Sequence, residues 1–488
     1  MAAMNLERRR QLLEELQQLV SDADMVQDDI LRYFLPLQRH NLALRKQILV
    51  IRGERGAGKT ALFHFLKRMR DRGAELDALY PGSQTANARW LEGFSETDTQ
   101  HPSPTVLDDF AEKASNEDLR ILWMAHLACC ISHEKNVTSA QLPTPLLASW
   151  RDQCNAPRAW VDTARAHLAD LSKFVDAVDR ELGEKDKTVF VTYDHLDKIG
   201  LYNTTIRERY AGTLLALWLS LSNRYHHLRA KIFIREDLFE AARRAFADAS
   251  KLKPRSISLD WDTESLFRLL IRHMAALSED MREWIQRSTK GIPLGEKPPW
   301  GWMPPDSLPE TGRESQKSFV DHLAGETMGK GLKKGYTYRW IPNRLQDAHV
   351  RIVPRSLLNL IGEAAGIACR QTPQARYDRL LHPAELHAAL AETSRRRVGE
   401  LAEEHKVVAR LENLRGLTVM LDPSFVKRKL STERADRPDH FGDDGSRVMD
   451  ELLRLGVLNV RSDGRIDVPD IYRYGYDIKR QGGVAKPR

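Results

Sequence analysis

The sequence predicts an α/β fold in which a three-layer core with a parallel sheet precedes a helical domain and a small domain of helix and hairpin. Three observations support this prediction. Short apolar runs alternate with helical segments between residues 46 and 275, as in a parallel sheet covered by helices. A glycine-rich loop follows the first of these runs. The end of the chain reads as a helix followed by two short alternating strands.

The glycine-rich loop is Gly53-Glu54-Arg55-Gly56-Ala57-Gly58-Lys59-Thr60, a full match to G-x-x-x-x-G-K-[ST]. The apolar run 48–51 before it is typical of a buried parallel strand, and apolar residues at helical spacing follow it. In this setting the backbone N–H groups from Gly53 to Ala61 surround phosphate oxygens, Lys59 neutralises the β- and γ-phosphates, and Thr60 holds Mg²⁺. The loop therefore predicts a P-loop NTPase core that binds ATP and Mg²⁺.

A second predicted strand ends in acidic residues. Thr188–Tyr193 is a β-branched and aromatic run, and Asp194 and Asp197 follow it. In P-loop folds the strand beside the loop strand carries an acidic residue at its carboxyl end, so Asp194 is a candidate Mg²⁺ ligand. The alternative is that Asp194 only caps a helix after the strand.

Two more strands complete the predicted sheet. Lys231–Arg235 is the third strand, and its last residue, Arg235, is expected at the carboxyl edge of the sheet, where ligands bind in open α/β folds. Ser256–Leu259 is the fourth strand. Residues 73–110 have little periodicity and are predicted to be a long surface connection.

A possible metal-binding pattern lies in the predicted helix from Asp118 to Ser132. His126, Cys130 and His133 fall on one face of this helix, a spacing that could hold a metal. The helix is otherwise apolar, so these residues are better interpreted as buried core residues. No metal site is predicted there.

The chain is predicted to divide into four parts: an N-terminal helical arm (1–45), the P-loop core (46–275), a helical lid with a Pro/Gly-rich insertion at 288–315 (276–395), and a winged-helix-like domain (396–488). The arm is expected to pack against the nucleotide-binding core.

The C-terminal part has the outline of a winged helix-turn-helix. A helix, Val448 to Leu455, precedes two strands joined by a turn at Ser462-Asp463-Gly464. Basic residues cluster at Lys427, Arg428, Lys429, Lys479, Arg480, Lys486 and Arg488. Acidic residues lie among them, so DNA contact and protein docking both remain open interpretations.

Composition sets further bounds on function. The 488 residues carry a net charge of +7, which permits nucleic-acid contact without requiring it. No apolar run is long enough to span a bilayer, so no membrane partner is predicted. The four cysteines show no CxxC spacing, which fits a protein of the reducing cytoplasm.

The order of these parts resembles AAA+ and STAND-type P-loop ATPases, including origin-recognition-like and KAP-like relatives, over residues from about 45 to 370. KAP-like proteins carry Asp-Asp-Leu-Asp-Arg where this chain has Asp194-His195-Leu196-Asp197-Lys198. The resemblance implies that Asp194 serves the metal. Because histidine replaces the second acid, water could be activated by Asp197, His195 or another residue, and slow hydrolysis is expected.

The same resemblance implies roles for two arginines. Arg235 matches the position of an arginine that senses the γ-phosphate in STAND proteins. Val353-Pro354-Arg355 looks like the lid arginine of origin-recognition-type AAA+ proteins, although Arg355 could equally be a surface arginine that pairs with an acid. The arginines eligible to reach a neighbouring subunit as an arginine finger are Arg207, Arg224 and Arg255.

Segments such as YRWIP, VPRSLLNLI and GRIDVPDIYRYGYDIKR are similar to ATPases of bacterial antiphage defence clusters. This implies an ATP-hydrolysing switch that self-associates and acts with a separate effector or sensor protein. The alternatives are a DNA-binding ATPase that loads or remodels complexes through its winged helix, and a scaffold that binds nucleotide but hardly turns over.

Overall fold

The structure is a computed structural model, and it describes most of the chain. The described residues are 5–96, 101–134, 137–153, 155–201, 203–244, 246, 248–289, 294–296, 300–304, 310–329, 331, 334–371, 378–433 and 439–480. Cys154, Lys486, Arg488 and part of the insertion at 288–315 therefore lie outside the described residues.

The helices are α1 (Leu6–Gln17), α2 (Ile30–Tyr33), α3 (Gln38–Leu44), α4 (Lys59–Arg68), α5 (Gly73–Leu79), α6 (Pro104–Lys113), α7 (Asn116–Ser132), α8 (Thr144–Gln153), α9 (Pro157–Ala166), α10 (Leu168–Glu184), α11 (Thr204–Arg224), α12 (Glu236–Arg243), α13 (Thr263–Ala275), α14 (Glu279–Ser288), α15 (Glu310–Ala324), α16 (Thr337–Leu345), α17 (Pro354–Arg370), α18 (Pro383–Glu404), α19 (Pro423–Leu430), α20 (Gly445–Arg454) and α21 (Asp470–Arg473). The strands are β1 (Val50–Gly53), β2 (Ala88–Phe94), β3 (Thr188–Tyr193), β4 (Leu228–Arg235), β5 (Ser256–Ser258), β6 (Gly295–Glu296), β7 (Trp302–Met303), β8 (Thr418–Val419), β9 (Asn459–Val460), β10 (Ile466–Asp467) and β11 (Lys479–Arg480).

The chain folds into two compact units. The sheet unit comprises Val26–Glu54 and Gly58–Leu259, and the helical unit comprises Met1–Met25, Arg55–Ala57 and Asp260–Arg488. The N-terminal arm is divided between them: α1 belongs to the helical unit and packs on α17, and α2 belongs to the sheet unit and packs on α4, as expected for the arm. In the part of the chain that is described, no helix is both long and apolar enough to cross a bilayer.

The sheet unit contains a five-stranded parallel sheet in the order β2-β3-β4-β1-β5. This confirms the predicted α/β class, and it corrects one detail. The acidic strand β3 does not lie beside the loop strand β1, because β4 pairs with both and separates them. The register places Arg235, the last residue of β4, opposite Gly53, the last residue of β1.

The edge strand β2 is absent from the sequence prediction. Residues 73–110 contain α5, β2 and α6, so the prediction of a surface connection there is wrong. Trp90, Leu91 and Phe94 of β2 are buried, but the strand also holds Ala88, Glu92 and Gly93, and it has no β-branched residue. Pairing with β3 and burial, not intrinsic propensity, hold this segment extended.

Helices cover both faces of the sheet. On one face Phe233 of β4 meets Phe63 of α4 edge to face, with ring centroids 5.9 Å apart. On the opposite face Tyr193 of β3 meets Trp123 of α7 at 6.0 Å and Trp218 of α11 at 6.1 Å. Alternate residues of a strand point to opposite faces, so this arrangement is a three-layer sandwich.

The helical unit ends in the winged-helix-like domain. Helix α19 packs on α20, and the antiparallel pair β9–β10 follows as the predicted hairpin. Strands β8 and β11 pair in parallel beside it. Arg410, only 1 % exposed, is held by both carboxylate oxygens of Asp439 at 2.7 Å and donates to the carbonyl of Leu430. This buried ion pair holds the start of the domain to the segment before α20.

Candidate nucleotide-binding site

The glycine-rich loop has the backbone that a phosphate-binding loop requires. Gly56 and Gly58 have φ values of +82° and +94°, a region that side chains with a Cβ rarely adopt. Gly58 is the N-cap of α4, so the helix begins at Lys59 and its first free N–H groups face the loop. The predicted strand–loop–helix order is present.

Lys59 is folded back onto its own loop. Its Nζ donates to the carbonyl oxygens of Gly53 at 2.8 Å and Glu54 at 3.0 Å, and the side chain is buried. The two carbonyl oxygens accept hydrogen bonds from the ammonium group, as phosphate oxygens would.

Asp194 follows β3 directly and is 5 % exposed. Its Oδ2 atom is buried without a hydrogen-bond partner among the described residues. Burial raises the pKa of Asp194, against the opposing charges of His195 and Lys59. A buried, unsatisfied carboxylate oxygen is costly unless it has a partner, and an oxygen-seeking cation such as Mg²⁺ would satisfy it.

Asp197 and Arg235 interact in the same unit. Arg235 Nη1 lies 3.5 Å from Asp197 Oδ2, and its Nε and Nη2 donate to the two carboxylate oxygens of Asp237 at 3.0 Å and 2.6 Å. Burial opposes the ionisation of Asp197, but the charges of Arg235 and Lys59 outweigh it and lower its pKa. The sequence did not indicate Asp237, although its place in the first turn of α12 favours an acidic residue.

His195 occupies an unusual backbone position. Its φ is +58°, in the left-handed region, and a short helical turn begins immediately after it. Its Nδ1 lies 3.3 Å from the hydroxyl of Ser95, which follows β2. Such residues cluster at functional sites, where surrounding contacts hold them in place. Ser95 was missed because β2 itself was not predicted.

The tip of the glycine-rich loop belongs to the helical unit, where α18 holds it. Arg55 Nη1 donates to Glu403 at 2.7 Å, and Arg397 donates to the carbonyl of Arg55 at 3.0 Å. Trp261 Nε1 donates to the carbonyl of Ala57 at 2.8 Å. Arg55 stands at a position where the motif allows any residue, yet it has a defined partner in Glu403.

Arg355 also lies against the loop tip. A Cβ added at Gly56 would be 3.0 Å from the Arg355 Cβ, a tight contact, and the positive φ of Gly56 would strain any side chain there. Arg355 pairs with Asp22 at 3.6 Å and Glu400 at 3.5 Å. The structure therefore shows the pairing of Arg355 with acids, and its contact with a nucleotide stays a prediction.

The three arginine-finger candidates have internal partners. Arg207 is buried and donates to the carbonyls of Gly200 and Leu201. Arg224 pairs with Asp176 at 2.6 Å, and Arg255 donates to Asn223 at 2.8 Å. Of the three, Arg207 is buried, Arg255 is half-buried and Arg224 is exposed.

The basic cluster of the C-terminal domain is split by the fold. Arg428 and Lys429 are exposed on α19, and Lys427 is half-buried. Arg480 is turned inward and donates to Asp467 at 2.7 Å, so it is not part of an exposed basic surface.

Comparisons with known proteins found no matching family model and no matching curated protein. Among solved structures, the chain is similar to the Aeropyrum pernix ORC2 protein in ADPNP–ADP complexes, with 11 % identity, TM-score 0.29, and coverage of 92 % of this chain and 88 % of that one. The chain is also similar to Pyrobaculum aerophilum Cdc6p, with 12 % identity, TM-score 0.29, and coverage of 95 % of this chain and 89 % of that one. A third similar structure is the Aeropyrum pernix ORC1 protein in complex with DNA, with 12 % identity, TM-score 0.31, and coverage of 97 % of this chain and 92 % of that one. These scores are too low to argue a shared fold or function.

Proposed function

We propose that the chain is a cytoplasmic, ATP-hydrolysing switch that controls assembly with a partner. The observation that carries the proposal is the glycine-rich loop between β1 and α4, whose first residues, Gly53 and Glu54, and last residues, Gly58–Thr60, lie in the same unit as the buried Asp194 Oδ2, which has no hydrogen-bond partner among the described residues. A lysine and a helix N-terminus supply positive charge for phosphates, and a buried carboxylate supplies a hard ligand for their cation.

The residues divide the work of phosphoryl transfer. The backbone from Gly53 to Ala61 would bind the phosphates, and Lys59 would exchange the carbonyls of Gly53 and Glu54 for phosphate oxygens. Thr60 and Asp194 would hold Mg²⁺, which neutralises the charge that develops on the phosphates. Asp197 and His195 are the candidates for orienting the attacking water.

Slow turnover is part of the proposal. Arg235, proposed to sense the γ-phosphate, is engaged by Asp237 and Asp197. A phosphate oxygen would have to compete with these two carboxylates for the guanidinium. A histidine in place of the second acid further favours a switch over a motor.

Steady-state hydrolysis of ATP tests the proposal. We expect Lys59→Ala to lower ATP turnover by at least about 100-fold, since a group that stabilises transition-state charge is lost. Lys67→Ala is the matched control, because Lys67 lies in the last turn of the same helix and pairs with Glu92. Equal turnover by wild type and Lys59→Ala would sink the proposal.

The partner part of the switch needs its own test. We propose that ATP changes self-association and the affinity for a separate effector or sensor protein, in the setting of antiphage defence that the sequence resemblance implies. Light scattering with ATP, ADP and no nucleotide measures the first effect. A mass that is identical in all three states would contradict control through self-association.

A DNA-binding ATPase is the second candidate function. The exposed Arg428 and Lys429 at the end of α19, beside α20 and the hairpin, are the observation that favours it. Arg447 and Arg454 of α20 are also exposed, but Glu451 binds Arg454 at 2.5 Å and offsets its charge. The R428A/K429A variant should weaken duplex binding and reduce its salt dependence, whereas salt-independent or absent binding would exclude this candidate.

A further inference from the structure

Three metal-ligating side chains converge in the sheet unit, apart from the nucleotide residues. The Nε2 atom of His126 lies 3.0 Å from Nδ1 of His101, and its Nδ1 lies 3.5 Å from the Sγ atom of Cys130. One ligand atom from each of the three side chains lies within 4.8 Å of the other two. None of these three residues has a role in the proposed nucleotide site.

The cluster joins two elements. His126 and Cys130 are four residues apart on α7 and so share a face of the helix. His101 comes from the segment between β2 and α6. The sequence pattern had placed His133 beside them, but the Nδ1 atom of His133 lies 2.8 Å from the carbonyl of Cys129 in its own helix, and His133 is not in the cluster.

The surroundings of the cluster are apolar. His126 is 2 % and His101 8 % exposed. The ring of Trp150 lies 4.9 Å from His126, and that of Phe94 lies 5.7 Å from His101. Cys130 is half-buried. Burying the two imidazoles among aromatic side chains is costly unless their nitrogens are satisfied, by hydrogen bonds within the cluster or by a shared ion.

We propose that His101, His126 and Cys130 bind Zn²⁺ at a site separate from the nucleotide. Two imidazole nitrogens and a sulfur suit Zn²⁺, whereas Mg²⁺ prefers oxygen ligands. Zinc bonds of about 2.0–2.3 Å place tetrahedral ligand atoms about 3.3–3.8 Å apart, so shifts of about 1 Å complete the site. Three protein ligands leave the fourth position to water.

Binding of Zn²⁺ would release one proton from the protein. The Cys130 thiol becomes a thiolate bound to Zn²⁺, and its proton leaves to solvent. The ion would tie the segment after β2 to α7, and so stabilise the edge of the sheet.

Metal analysis of protein prepared without an affinity tag that binds metal tests this site. After incubation with Zn²⁺ and removal of excess, we expect about one zinc per chain in wild type. Cys130→Ser and His101→Asn should each reduce bound zinc at least about tenfold, since ligands must be present in full for tight binding. Cys129→Ser is the matched control: it is the adjacent buried cysteine, outside the cluster, and should retain zinc.

A second measurement does not depend on variants that could fail to fold. Co²⁺ added to metal-stripped wild type should produce a thiolate-to-cobalt charge-transfer band, and Zn²⁺ should raise the Tm of wild type. Wild type that is folded by circular dichroism yet takes up less than about 0.1 zinc per chain would overturn the proposal. Equal zinc in wild type, Cys130→Ser and His101→Asn would overturn it as well, and would leave the three side chains as a buried hydrogen-bonded chain.

Discussion

At the scale of single residues, Asp194 is the side chain whose surroundings most constrain the proposed chemistry. It is buried, its Oδ2 has no hydrogen-bond partner among the described residues, and burial raises its pKa. A carboxylate in this state holds a proton to higher pH than an exposed one, and a cation that binds it must displace that proton. Cation binding and proton release are therefore coupled at this residue.

We predict that the affinity of the nucleotide-bound protein for Mg²⁺ falls as pH is lowered toward the raised pKa of Asp194. The sign follows because protonation removes the charge that the cation needs. Calorimetry in buffers of different ionisation enthalpy measures the proton released on Mg²⁺ binding. Asp194→Asn should weaken Mg²⁺ binding and abolish the proton release, and unchanged release in that variant would contradict the role of Asp194.

At the scale of elements, α18 connects the loop tip with the C-terminal domain inside the helical unit. Near its end, Arg397 and Glu403 hold Arg55 of the loop. One turn earlier, the hydroxyl of Ser394 donates to the carbonyl of Ile471 and accepts from the N–H of Gly475. A single rigid helix thus contacts both regions, which is a physical route for coupling between them.

Arg55→Ala is predicted to weaken this route with little effect on stability. The Arg55–Glu403 pair is mostly exposed on the glutamate side, so its loss should cost less than about 1 kcal/mol of unfolding free energy. ATP affinity should fall by about threefold, and the protection that ATP gives to amide exchange in residues 470–478 should decrease. Equal protection in wild type and the variant would refute the coupling.

For the buried pair Arg410–Asp439 we predict a large loss of stability, in contrast to the small loss predicted for Arg55→Ala. Both side chains are at most 2 % exposed. Asp439→Ala leaves a buried guanidinium without its carboxylate and should lower the free energy of unfolding of the C-terminal domain by about 3–5 kcal/mol. Urea unfolding followed by circular dichroism measures this. Asp443→Ala, an exposed acid nearby, should change little, and equal effects of the two variants would contradict the ion-pair argument.

At the scale of the whole molecule, buried histidines make stability depend on pH in both units. Burial lowers the pKa of His40 in the sheet unit to about 3, and that of His273 in the helical unit to about 3. The unfolded chain titrates near 6.5, so between pH 6.5 and 3 the unfolded state binds more protons. Stability from these histidines is therefore complete above pH 6.5 and is lost as pH falls.

We predict that lowering the pH from 7 to 5.5 reduces the free energy of unfolding by about 1 kcal/mol for each of these histidines. Urea midpoints at the two pH values measure the loss. His40→Gln keeps an acceptor for the backbone N–H of Leu37 and should reduce the pH dependence. The exposed His226→Gln should leave it unchanged, and an equal urea midpoint at pH 7 and 5.5 in wild type would refute the prediction.

Much of the fold and part of the site could be predicted from local patterns alone. The motif Gly53–Thr60 and the run Thr188–Tyr193 were located correctly, as was the hairpin near Ser462. These features depend on local conformation: glycine allows positive φ, β-branched runs favour strands, and turn residues favour hairpins. Each affects only the backbone within a few residues. Their structural outcome is therefore readable without knowledge of the rest of the chain.

The tertiary structure alone decided which distant residues meet. It placed β4 between β1 and β3, brought Asp197 to 3.5 Å from the Arg235 guanidinium, and set His101 beside His126. It also made a strand of Ala88–Phe94, which has no β-branched residue and contains Ala88, Glu92 and Gly93. Strand order and contacts between loops depend on the packing of whole layers, and no local pattern contains that information.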